Sequence, residues 1–280
     1  MSSRCPERRA ARPARLLGLA CLLAAGLAAG AGESSPALRV CADPDNPPFS
    51  QRDEGGFENR IARLLADDLQ RPLHYTWLRD RRGFVRKTVG ADLCDIVVGV
   101  PVGFQALQTT APYYRSAFFF VNREGAAGPT GFTDARLPSW RIGVQLIGID
   151  PGTSPVGYAL ARHGATERVV GYTLAGAETP PAQRMVQDVA SGRLDSALVW
   201  GPQAGYFASR SQVPLHLVRA EAPPDMASVP FEFSIAMGVR HGDTALRQSL
   251  DEFIARRRAD IDAVLAAYRV ARTDRAEVAP

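Results

Sequence analysis

Two patterns alternate along this chain from Leu38 onward. Short apolar runs that suit strands give way to segments whose apolar residues recur at helical spacing. Leu38 to Ala42 reads as a strand, and Phe57, Ile61, Leu64, Leu65 and Leu69 then fall on one helical face. His74 to Leu78 is a second strand, Phe84 to Val89 a short helix, and Asp95 to Val100 an apolar run that belongs in a core. After Ala111 the pattern restarts. Ile142 to Gln145, Val169 to Thr173 and Ser196 to Trp200 read as strands, with helices over Pro155 to Ala161 and Ala182 to Ser191. One long helix is expected at the end, where Leu246, Leu250, Phe253, Ile254, Ile261, Val264 and Leu265 keep helical spacing.

Such alternation predicts an α/β protein, with parallel sheets covered by helices on both faces. In these sheets the cleft lies beyond the carboxyl ends of the strands. The buried strand ending at Val100 therefore delivers the polar and aromatic segment "PVGFQALQTTAPYYRS" to a cleft. Two stiff, strand-like connectors, "YYRSAFFFVNREG" and "FEFSIAMGVR", join the alternating blocks. They predict two lobes linked by a pair of crossing strands.

The amino terminus stands apart from this pattern. Arg4, Arg8, Arg9, Arg12 and Arg15 precede an uncharged apolar run from Leu16 to Ala29, and Ala29-Gly30-Ala31 offers small residues for cleavage. Residues 1–31 therefore read as a signal peptide, too short in its apolar part to suit a retained span. Its removal changes the charge balance. The 33 Lys+Arg lose five arginines and the 29 Asp+Glu lose Glu7, leaving 28 of each. A neutral mature protein gives no support for nucleic-acid binding. No later segment is long and apolar enough for a membrane helix, so the mature protein is expected to be exported, without a membrane span.

Of four cysteines, Cys5 and Cys21 belong to the leader, so Cys41 and Cys94 remain. In an oxidising compartment they have one pairing open to them, the alternative being two separate buried thiols. His74, His163, His216 and His241 have no ligand-like spacing, so no metal site is expected.

The order of a Leu-Arg-Val strand, a Gly-Phe helix start, an Asp-Ile-Val-Val-Gly-Val strand, a Tyr-Tyr connector and an Ile-Ala-Met-Gly-Val return strand resembles the type II periplasmic solute-binding proteins. Within that group, six segments look like the MoxJ/XoxJ-type proteins: "LRVCADPDNPPFS", "GFENRIARLLADDL", "YTWLRDRRGFVRKTV", "CDIVVGVPVGFQALQTTAPYYRS", "VWGPQAGYFA" and "FSIAMGVRHGD". The resemblance implies a type II periplasmic-binding-protein-like fold. Residues 37–117 plus 235–275 would form one lobe, 118–234 the other, and 276–280 a tail. It also implies an accessory protein, not an enzyme, that assists activation or maturation of a periplasmic methanol or alcohol dehydrogenase dependent on pyrroloquinoline quinone (PQQ). The quinone and its calcium or lanthanide ion would belong to that partner, and this chain would carry no cofactor.

Amino-acid receptors of the wider group grip their ligand with an arginine beyond the buried strand and an acid ending a second-lobe strand. Those positions fall near Ala106 and on Trp200 here, so both clamps are missing. A buried amino acid would leave its two charges unpaired. The alternative function is a transporter receptor for a small molecule that is not an amino acid. Candidate contacts with ligand or partner are Asp43, Asn46, Phe49, Glu58, Asn59, Arg82, Pro101, Phe104, Thr109, Tyr113, Tyr114, Arg115, Trp200 and Tyr206. Each has a plainer reading: aromatics pack between sheet and helix, aspartates bond turn amides, and arginines form surface ion pairs.

Overall fold

The computed structural model describes residues 36–146, 154–174 and 179–275. The expected signal peptide and the 276–280 tail lie outside them. The chain runs β1 (Leu38–Ala42), β2 (Asp45–Asn46), β3 (Ser50–Gln51), α1 (Phe57–Asp68), β4 (Leu73–Trp77), α2 (Phe84–Lys87) and β5 (Ile96–Pro101). Then follow β6 (Gln108–Thr109), β7 (Tyr114–Arg123), β8 (Ile142–Gln145), α3 (Pro155–Arg162), β9 (Val169–Tyr172), α4 (Pro181–Ala190) and β10 (Ser196–Trp200). The last elements are α5 (Gly201–Ala208), β11 (Leu215–Arg219), β12 (Glu232–Val239), α6 (Thr244–Arg256) and α7 (Arg258–Ala267).

A ten-stranded sheet follows the path β4-β1-β5-β12-β7-β10-β8-β9, with β6 added on β12 and β11 on β7. β1 is parallel to both β4 and β5, and β8 is parallel to both β10 and β9. These two parallel groups meet through the antiparallel pair β7 and β12, in which Arg115 opposes Ser234 and Ala117 opposes Glu232. β7 leaves β12 after Ala117 and pairs next with β10 and β11, from Phe119 onward with both. β12 crosses the other way, pairing with β5 from Ile235 to Val239. The two stiff connectors of the sequence are these strands.

Helices cover the faces because the inner strands, such as β5 and β10, bury side chains on both. In β10, Ala197 and Val199 pack with Met185 and Val189 of α4, whereas Leu198 packs with Val156 and Leu160 of α3. In the first group, Phe57, Ile61 and Leu65 of α1 lie against Val40, Ile96 and Val98. Cys41, Phe84, Cys94 and Val97 form the cluster on the opposite face. Cys41 and Cys94 are joined in a disulfide, Cα atoms 5.6 Å apart, tying β1 to the start of β5.

The expected single C-terminal helix is two helices. Arg257 breaks the helical backbone (φ −102°, ψ 22°). At the break, Arg256 and Arg257 both reach Asp68 at the end of α1, at 2.7 and 3.5 Å. The apolar spacing continues through the break, so it carries no sign of it. After β10, Gly201 and Pro202 begin α5, proline suiting the first helical turn.

Candidate functional site

Four strand ends and two helix starts meet at one cavity of about 340 Å³. Asp43 comes from the turn after β1, Asp80 from the loop after β4, and Gly99 and Pro101 from β5. Glu58 enters from the first turn of α1, and Phe84 opens α2. The crossing strands contribute Tyr114, Phe118, Phe233 and Ile235, and Trp200 stands at the end of β10. The cavity thus lies where parallel strands end and beside the crossing pair.

Asp43 is buried and holds the two loops together. Its Oδ1 accepts from Asp45 N at 2.9 Å and its Oδ2 from Asp80 N at 2.7 Å. This is the turn-bonding role of an aspartate, and it also fixes a carboxylate in the cavity wall. Arg81 stands 4.0 Å from the same carboxylate, and Arg79 lies 3.5 Å from Asp45, both lining an adjoining pocket.

Glu58 is half-buried, and its carboxyl makes no hydrogen bond or ion pair among the described residues. Burial pushes it up to about 8, and the negative charges of Asp80 and then Asp43 add to the shift. Asp80 is also raised, by burial and then by Asp43, against an opposing pull from Arg81. No arginine, lysine or histidine lines the cavity among the described residues. An anionic ligand would find no counter-ion there.

The other wall is aromatic. Trp200 meets Phe118 edge-on, ring centroids 5.4 Å apart, and Phe233 likewise at 5.8 Å. Phe49 leans on the core ring of Phe57 at 5.3 Å, and Phe57 meets Tyr114 edge-on at 6.2 Å.

Of the residues singled out from sequence, Asp43, Asn46, Phe49, Glu58, Pro101, Tyr114 and Trp200 line this cavity. The others do not. Tyr113 is fully buried core, its hydroxyl donating to Val98 O at 3.0 Å. Asn59 is a helix-start residue, its Oδ1 accepting from Gly56 N at 3.1 Å and Gln51 N at 3.0 Å. Thr109 pairs with Gly238 in the sheet. Phe104 is exposed on the turn after β5, and Arg82 is exposed before α2. Arg115 is tied to Glu232 at 3.2 Å and to Ser234 Oγ at 3.2 Å. Tyr206 lines a different groove, between Pro47 and helices α4 and α5, with Tyr268 stacked on it.

Several lining residues escaped the sequence reading, among them Asp80, Phe118 and Phe233. Asp80 sits inside "RDRR", which reads as a basic run, yet its place just after a parallel strand marks a cleft position. Phe118 and Phe233 read only as stiffness in the connectors. Among the described residues, no group of three or more His, Cys, Asp or Glu is placed to hold a metal. No described helix is long and apolar enough to cross a membrane.

The solved structures most similar to this chain include periplasmic binding protein XoxJ from Methylobacterium extorquens AM1. It is 37% identical, with a TM-score of 0.69 over 86% of this chain and 100% of that one. MxaJ from Methlophaga aminisulfidivorans MPT is 25% identical, with a TM-score of 0.74 over 84% and 100% of the two chains. No family model matches the sequence. The fold is that of the type II periplasmic binding proteins. Protein MoxJ of Paracoccus denitrificans is 31% identical over 265 residues, 86% of this chain and 91% of that protein. The chain belongs to the MoxJ family, of MoxJ/XoxJ type.

Proposed function

We propose that this protein is a periplasmic accessory of a PQQ-dependent methanol or alcohol dehydrogenase, engaging that enzyme and assisting its activation or maturation. The observation that carries the reading is the similarity to MoxJ over nine-tenths of that protein's length, 91%. The likeness to XoxJ, described as a periplasmic binding protein, supports the location. A cavity without an arginine among its described lining residues supports a role other than amino-acid capture. In this reading the chain is not an enzyme and holds no cofactor, the quinone and metal residing in the dehydrogenase.

The test is dehydrogenase activity in periplasmic extracts of cells with and without the gene, followed by addition of the purified mature protein. Loss of activity in the deletion, restored by the protein or by expressing it during enzyme assembly, is expected. Equal activity in both strains would refute the role.

A second reading is favoured by the cavity itself, whose volume of about 340 Å³ falls at the lower end of small-molecule sites. A receptor that also holds a small ligand is compatible with an accessory role.

A further inference from the structure

The cavity beside α1 combines a carboxyl group without a partner, two further carboxyls and a wall of rings. Ring faces carry negative electrostatic potential, so Trp200, Phe118 and Phe233 favour a positive group over a negative one. Glu58 has no hydrogen bond or ion pair among the described residues, and Asp43 and Asp80 add negative charge to the same space. Arg79 and Arg81 lie beside Asp45 and Asp43 in an adjoining pocket and form no ion pair with Glu58.

Ligand classes can be ranked on this chemistry. An anion would meet like charges and no donor cation. A neutral apolar ligand would cover Glu58 and leave a buried carboxyl without a partner, which is unfavourable. A bare metal ion is poorly served, because the acids are not grouped to share one. An organic cation answers each demand at once. We propose that this cavity binds a small organic cation, a substituted ammonium carried on an apolar body, with Glu58 as counter-ion and Trp200, Phe118 and Phe233 as the wall around it.

The state of Glu58 adds a signature. With its carboxyl pushed up to about 8, the empty site holds a proton at neutral pH. A bound cation favours the ionised form, so binding releases a proton. The titratable groups facing Glu58 are Asp43 and Asp80 from the loops, Tyr75 from β4, Tyr113 just before β7 and Tyr114 at its start. Burial raises all three tyrosines, so they stay neutral across this range.

The test is calorimetric titration of the isolated mature protein with phenethylammonium and benzyltrimethylammonium, with 2-phenylethanol as the neutral isostere and phenylacetate as the anion. Only the two ammonium compounds should bind at millimolar concentration. Their heats should change with the ionisation enthalpy of the buffer, as proton release requires. Glu58→Gln should remove both the preference for cations and the buffer dependence. Trp200→Leu, which leaves the carboxyl in place, should weaken binding by about tenfold or more. Equal binding of 2-phenylethanol, or no binding of either ammonium, overturns the proposal. The dehydrogenase is absent from this experiment, so its outcome is separate from that of the accessory role.

Discussion

Gly99 lies against the carboxyl group of Glu58: a Cβ at position 99 would stand 2.0 Å from Oε1 and 3.0 Å from Cδ. The run Ile96, Val97, Val98, Gly99, Val100 is otherwise made of β-branched residues suited to a buried strand. The missing side chain is what gives the glutamate its seat. The atoms in the way are the far end of a flexible side chain, so a substitution there displaces the carboxyl without moving the sheet.

Gly99→Ala should therefore cost little stability, about 1 kcal/mol or less, while displacing Glu58 from the cavity. The expected result is a near-native denaturation midpoint together with loss of the pH behaviour described next. A collapse of the fold would mean that the backbone, not Glu58, fills the space over Gly99.

The pH dependence of stability follows from Glu58. Its carboxyl rises from an ordinary 4.5 to about 8 on folding, so within that window the folded state holds a proton that the unfolded chain has lost. Stability then falls as pH rises through the window. Asp80, also raised, acts with the same sign. Thermal melts between about pH 5 and about pH 8 should show a declining Tm, and Glu58→Gln should decline less and be the more stable protein at the upper end. Parallel curves for the two proteins would contradict this account of Glu58.

The Cys41–Cys94 disulfide closes a separation of 53 residues and links β1 to the approach of β5, both of which line or support the cavity. In the chain-entropy view such a loop stabilises the fold by up to about 4 kcal/mol. Cys41→Ser with Cys94→Ser should lower the urea midpoint accordingly without changing the cooperativity of unfolding. An unchanged midpoint would mean that the pair contributes nothing to folding.

Tyr113 and Tyr114 separate core from cleft. Tyr113→Phe removes the hydroxyl that donates to Val98 O and should cost about 1 kcal/mol. It should leave ligand binding untouched, since Tyr114 and not Tyr113 lines the cavity. Loss of binding in Tyr113→Phe at unchanged stability would reverse that assignment.

Much of this arrangement is legible in the chain because its physics is local. A β-branched run such as Ile96 to Val100 declares a buried strand, and the helical face of Phe57, Ile61 and Leu65 declares its cover. Trp200 and Asp43 follow from the rule that cleft residues sit after parallel strands. What escapes depends on distant partners. Nothing near Tyr113 says that its hydroxyl meets Val98, and nothing near Glu58 reveals Gly99 beneath it. Asp80 is masked by its arginine neighbours, and the break at Arg257 answers to Asp68 far along the chain. The absence of an arginine clamp near Ala106 is readable, but the meeting of Asp43 and Glu58 with Asp80 in one cavity is not.

The proposed association with a dehydrogenase is measured most directly by sedimentation velocity, using the purified mature protein and a PQQ-dependent alcohol dehydrogenase from the same cells. The account predicts a faster-sedimenting boundary containing both chains, which grows as this protein is added. Two boundaries that stay at the positions of the separate proteins, at every ratio and whether or not the enzyme carries its quinone and metal, would contradict it.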